Sequence, residues 1–120
     1  MKNKILLLGT PLSTNHIYRH HGKISYMSAE GKKLKESYIV QATEQWGKRK
    51  IIDDFVEMEI HLFFSDKRKR DIDNYNKLAI DALSGVVLTD DSQIYKLTIY
   101  KAVDTKRPRV EININVIKQK

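Results

Sequence analysis

The chain has 120 residues, 41% of them hydrophobic, enough to bury one modest core and too many for a disordered chain. Its 22 Lys and Arg against 15 Asp and Glu give a formal charge of +7, which favours a polyanionic partner such as nucleic acid. With no cysteine, disulfides, zinc ribbons and thiol chemistry are excluded.

Lys4 to Leu8 is predicted to be a buried strand, and the apolar run from Ile5 to Leu8 is too short for a signal-peptide core or a membrane span. The protein is accordingly expected in the cytosol. A loop opens at Thr10-Pro11. The polar, aromatic and basic stretch from Ser13 to Met27 reads as a functional loop with a short hairpin around Gly22. Ser28 is an expected N-cap, with Glu30 in the first turn. Leu34, Tyr38, Ala42 and Trp46 then mark one face of a helix ending near Gly47, in which Gly31 is out of place.

Phe55 to Phe64 alternates as a half-buried strand. Tyr75, Leu78, Ala79, Ala82, Leu83 and Val86 fall on one face of a second helix. Asp90-Asp91-Ser92 ends it, Tyr95, Leu97, Ile99 and Val103 read as an alternating strand, and Lys106-Arg107 before Pro108 as a hairpin tip leading to Val110–Val116. The expected architecture is a single α+β domain over residues 1–120, with a mixed sheet and two main helices.

The chemistry concentrates between the strand and the second helix. Asp71, Asp73 and Lys77 follow the basic run Lys67-Arg68-Lys69-Arg70, and Asp90-Asp91 comes about one helix later. Carboxylates beside phosphate-binding cations weaken anion binding unless a cation lies between, so a divalent metal is the expected occupant. An extended segment would put Asp71 and Asp73 on one face, and Asp73 is also placed to cap a helix starting at Asn74. Oxygen ligands without imidazole or thiolate suit Mg²⁺, with Mn²⁺ as substitute. Lys77, cationic among carboxylates, is suited to stabilising transition-state charge and not to acting as a base. The plainer readings are a turn at Asp71–Asp73, a turn at Thr89–Ser92, a Lys77–Asp81 pair on a solvated helix face, and an exposed basic loop. Arg19, His20, Lys23, Lys67, Arg68, Lys69 and Arg70 are candidates for phosphate contact. Tyr18 is placed either to stack on an exposed base or to pack beneath its own loop. His16 with His20-His21 lacks matching carboxylates for a transition-metal site.

Several segments together resemble the RusA-like Holliday junction resolvases. Lys69-Arg70-Asp71-Ile72-Asp73-Asn74-Tyr75-Asn76-Lys77 is similar to that family's basic-D-x-D-N-x-x-K segment. Asp81-Ala82-Leu83 and Asp90-Asp91-Ser92-Gln93-Ile94 resemble its D-A-L and D-D-x-Q-[IV] elements, and Pro11–Asn15, Tyr18 and Ser28–Gly31 its N-terminal region. The resemblance implies a RusA-like fold, metal ligation by Asp71, Asp73 and Asp91, and an essential Lys77. It further implies Mg²⁺-dependent paired nicking of four-way DNA junctions by a homodimer, with no organic cofactor, in recombination and repair. The segment from Leu83 to Asp90 is about one residue shorter than the family pattern, so Asp90 is an alternate ligand, with Ser-Gln-Ile favouring Asp91. Asn74 would orient the site or touch a backbone phosphate. Two other classes remain: a non-catalytic DNA-binding accessory protein whose acids are caps and turns, and a related nuclease acting on flaps or single strands.

Overall fold

Alternating apolar residues build a four-stranded sheet in the computed structural model, which describes residues 2–117. Its strands are β1 (Lys2–Leu8), β4 (Val56–Phe64), β5 (Ile94–Val103) and β6 (Arg109–Val116), in the order β1-β6-β4-β5. β6 runs antiparallel to both β1 and β4, and β5 runs parallel to β4, so the sheet is mixed as expected. In β4 the predicted alternation holds along its length: Val56, Met58, Ile60, Leu62 and Phe64 are buried. They join Ile5, Leu7, Val110, Ile112 and Ile114 in one core. The opposite face carries Glu57, Glu59 and His61 on β4, with Glu111, Asn113 and Asn115 on β6.

Helix α2 (Ala29–Trp46) begins where Ser28 Oγ accepts from Gly31 N at 3.0 Å and ends at Gly47, whose φ of +63° suits glycine. Tyr38, Ala42 and Trp46 are buried against the sheet. Its polar side also has work at the sheet edge. Gln45 accepts from Leu6 N at 2.7 Å and donates to Leu6 O at 2.6 Å; Gln41 does the same with Leu8, at 2.7 and 3.1 Å. Two side-chain amides, one turn apart, thus stand in for a neighbouring strand and satisfy the outer edge of β1 at Leu6 and Leu8.

The Ser13–Met27 stretch is more ordered than a loop. Short helix α1 (Thr14–Ile17) is followed by hairpin strands β2 (Tyr18–His21) and β3 (Ile24–Met27), turning at Gly22 as anticipated. Gly31 is explained here. A Cβ on it would lie 2.9 Å from Ile17 Cγ2 and 3.1 Å from Ile17 O, so its absence lets α1 seat on the first turn of α2.

Three local expectations differ. The second helix, α3, is only Lys77–Leu83, because the chain turns at Ser84–Leu88 to pair with Ile52. Of the expected β5 face only Ile99 packs on the core: Leu97 and Val103 are exposed, and Tyr95, beside a slip in register, stands 66% exposed with its ring against Phe55. β5 and β6 do not form a hairpin either. They flank β4 on opposite sides, so Lys106-Arg107 lies in a crossover that passes the end of β4, where Asp104 N donates to Phe64 O at 2.7 Å. Turn-forming residues look alike in both kinds of connection.

Candidate active site

The end of β4 leads into the basic run and then into a single 3₁₀ turn, Ile72–Asn74. Asp71 is extended at its start, and Asn74 N donates to Asp71 O at 3.1 Å. Asp73 is therefore inside the turn, so the two acids are adjacent across a tight turn and do not share a strand face. Nor does Asp73 cap a helix: α3 begins at Lys77, with Asn76 at the cap position and no side-chain capping bond. Both acids are exposed, and among the described residues neither side chain is taken up in a hydrogen bond or ion pair.

Packing holds this turn in place. Tyr75 meets the Phe64 ring edge-on, with centroids 4.9 Å apart. Arg70 lays its guanidinium over the other side of that strand end, 4.3 Å from the Phe64 centroid. It pairs with Asp66 at 2.9 Å and donates to the carbonyls of Asp66 and Arg68. Arg70 thus has a structural task that sequence alone did not suggest, whereas Lys67, Arg68 and Lys69 are exposed. Hydrogen bonds from Arg68 N and Arg70 hold the Asp66 carboxyl below its usual range.

From the other side, Thr14 Oγ1 donates to Asn74 O at 3.1 Å, which ties α1 to the acidic turn. Thr14, Asn15, Tyr18, His20, Ser25 and Lys77 line an open groove of about 500 Å³. Tyr18 is half-buried and packs partly on the core; Arg19, His20 and Lys23 are exposed on the hairpin. His16 Nε2 meets Glu30 Oε2 at 2.8 Å, an α1–α2 contact. Thr14, Asn15 and Ser25 were not among the expected site residues, since nothing in their spacing connects them to Lys77. Lys77 Nζ is 3.6 Å from Asp81 Oδ2, the plainer of its two readings, and does not reach back to Asp73.

The Asp90-Asp91 pair divides its labour. Asp90 caps the 3₁₀ turn Asp91–Gln93: its Oδ2 accepts from Ser92 Oγ at 2.5 Å and Ser92 N at 3.3 Å, while Gln93 Oε1 accepts from Asp90 N. The Ser92 hydroxyl is the largest cause lowering the Asp90 carboxyl below its ordinary value. Asp91 is exposed and has no cap role. Its turn is anchored by Gln93, which donates to Ile52 O at 2.8 Å and Asp54 O at 2.9 Å. That is the Val56 end of the sheet, since Ile94 pairs with Val56, whereas Asp71 and Asp73 follow Phe64. The nine residues of β4 between span roughly 26 Å. Among the described residues, no three His, Asp or Glu side chains converge on a point that would hold a metal ion.

The donor chemistry is still that of a hard cation. Two uncommitted carboxylates flank one tight turn, and the buried Oδ1 of Asn76 beside them has no hydrogen-bond partner. Mg²⁺ commonly takes only one or two protein carboxylates, completing its shell with water and phosphate oxygens. The residues present fit such an ion.

An α+β domain with a basic, oxygen-rich turn at its sheet end has the make-up of a metal-assisted enzyme acting on nucleic acid. The chain belongs to the RusA endodeoxyribonuclease family, whose model, "Endodeoxyribonuclease RusA", matches residues 9–115. It is 31% identical over 118 residues to the crossover junction endodeoxyribonuclease RusA of Escherichia coli strain K12, covering 95% of each chain. The protein of that name from Shigella sonnei matches equally, and that of Enterobacteria phage 82 is 30% identical over 116 residues, covering 91% of each chain.

Proposed function

We propose that this protein is a structure-selective endodeoxyribonuclease that resolves four-way DNA junctions by paired symmetric nicks, as a cytoplasmic, single-domain homodimer dependent on Mg²⁺. The observation that carries the reading is the Asp71–Lys77 segment, family-specific in sequence and exposed on a packed turn directly behind Lys67–Lys69. The names of the bacterial and phage relatives support the substrate. A junction has approximate two-fold symmetry, which an isologous dimer with one site per subunit matches.

In this reading Asp71 and Asp73 would hold Mg²⁺; Asp91, at the other end of its own protomer's sheet, would complete the ligand set only across the homodimer, with Asp90 capping the turn next to it. The bound ion would polarise the scissile phosphate and lower the pKa of an attacking water. Lys77 stabilises the charge that grows on the phosphate oxygens. Asn74 fixes the turn against α1. Lys67, Arg68 and Lys69 on one side, and Arg19, His20 and Lys23 on the other, hold backbone phosphates, while Tyr18 offers a ring to an unstacked base.

The test is cleavage of a synthetic four-way junction with Mg²⁺, compared with a flap and a linear duplex. Symmetric nicks confined to the junction are expected, and Asp71→Asn should abolish them while leaving junction binding intact. Preference for the flap would favour the flap-nuclease reading. Junction binding with no cleavage under Mg²⁺ or Mn²⁺ would favour an accessory protein.

A further inference from the structure

β5 breaks its own alternation at one position. Leu97, Ile99, Lys101 and Val103 lie on the core side of the sheet, since they pair in register with Met58, Ile60, Leu62 and Phe64 of β4. An ammonium group in that apolar row calls for a reason, and the acidic turn supplies one. Lys101 Nζ donates to Arg70 O at 3.0 Å, across 31 residues of chain. Among the described residues this is its one hydrogen bond, and it forms no ion pair. Lys67, Lys69 and Arg70 share with it the wall of a cavity of about 180 Å³. An exposed lysine among like charges turns to water unless an acceptor holds it. Here the acceptor is a backbone carbonyl.

That carbonyl is the one immediately before Asp71. Both peptide groups flanking Asp71 are therefore held: Arg70 O accepts from Lys101, and Asp71 O accepts from Asn74 N at 3.1 Å. Fixing the two peptide planes fixes the φ of −86° and ψ of 117° at Asp71, and backbone conformation limits the directions its carboxylate can take. The Asn74 bond lies within the turn, whereas the Lys101 bond ties the turn to the sheet. Residue 70 is then clamped at both ends, its guanidinium over Phe64 and its carbonyl on β5.

We propose that Lys101 is a positioning residue for cleavage: by holding the Arg70 carbonyl it fixes the orientation in which Asp71 presents its carboxylate to the divalent cation. The inference rests on the nuclease reading above and adds to it a residue from a different strand. Lys101 acts through the backbone, so what matters is a donor at that place.

Two variants test this. Lys101→Met keeps most of the apolar stem and removes the donor, while Lys101→Arg keeps a donor. Both should unfold near the wild-type urea midpoint. In metal-free Lys101→Met the Asn74 amide, bonded to Asp71 O, should exchange its hydrogen about three-fold faster as the turn loosens. Mn²⁺ followed by electron paramagnetic resonance should bind about 10-fold more weakly, and a saturating four-way junction should be cut about 10-fold more slowly at limiting Mg²⁺. Junction affinity without metal should be unchanged, and Lys101→Arg should recover both Mn²⁺ affinity and cleavage. Wild-type Mn²⁺ affinity and cleavage in Lys101→Met would overturn the proposal and leave the nuclease reading intact. So would weaker junction binding with an unchanged rate at saturation, which would make Lys101 a phosphate contact. A wild type that leaves junctions uncut would sink the nuclease reading itself, and the role of Lys101 with it.

Discussion

Ser92 Oγ donates to Asp90 Oδ2 at 2.5 Å, so the first acid of the Asp90-Asp91 pair is spent on closing its own turn. Asp90→Ala should lower the urea midpoint, because the turn loses the carboxylate half of its capping box while Gln93 still accepts from the backbone N–H of residue 90. Junction cleavage measured well below the melting temperature should fall only a few-fold. Asp91→Asn should do the reverse, leaving the midpoint within error and reducing cleavage by at least 100-fold. Equal losses of activity in both variants would contradict this division.

Lys77 gives a cleaner separation of activity from stability. Its 3.6 Å pair with Asp81 is exposed at i,i+4 and contributes only about 0.3–0.5 kcal/mol. Lys77→Gln should therefore unfold near the wild-type midpoint and bind junctions, yet cleave them 100-fold or more slowly. Single-turnover cleavage alongside urea denaturation checks both halves.

Gly31→Ala sets helix propensity against packing. Alanine within a helix gains up to about 1 kcal/mol over glycine, but here its Cβ would press on Ile17 at 2.9 Å. Overpacking typically costs about 1–3 kcal/mol, so a net loss of about 1 kcal/mol is expected in chemical denaturation. Because α1 also holds Asn74 through Thr14, junction cleavage should fall as well. A stabilised variant would mean that α1 shifts at no cost.

Arg109 ties together the open face of the sheet, donating to Glu111 Oε2 and to Asp104 Oδ2, each at 2.7 Å. These bonds are the largest cause holding both carboxyls below their ordinary values of 4.5 and 3.8. A lowered carboxyl contributes stability that is fully present above the unfolded-state pKa and is lost as pH falls through the folded one. The urea midpoint should therefore decline from about pH 5 downward. In Arg109→Met it should start lower and decline less steeply over the same range.

Much of this was legible in the sequence because it depends on neighbours along the chain. Ser28 and Gly47 bound α2, and the period of two from Val56 to Phe64 marks β4. The acidic turn and its basic approach were also visible, as local residue chemistry. What escaped depends on distant partners. Nothing about Gly31 announces Ile17, and nothing about Gln41 or Gln45 announces β1. Arg70 looked like its three basic neighbours, yet its place over Phe64 is set by where β4 ends. The separation of Asp91 from Asp71 likewise follows from the parallel register of β4 and β5, which the spacing of the acids cannot encode.

The two glutamines on α2 also bear on how many copies can associate. A sheet with two free edges can add strands at either side without limit and grow into a fibre. Here the amides of Gln41 and Gln45 already occupy the ladder positions along β1. Strand addition along β1 is therefore blocked at Leu6 and Leu8, and edge-to-edge growth of this sheet is left to β5. Two hydrogen-bonding side chains, one helical turn apart, make the sheet one-sided in what it can add.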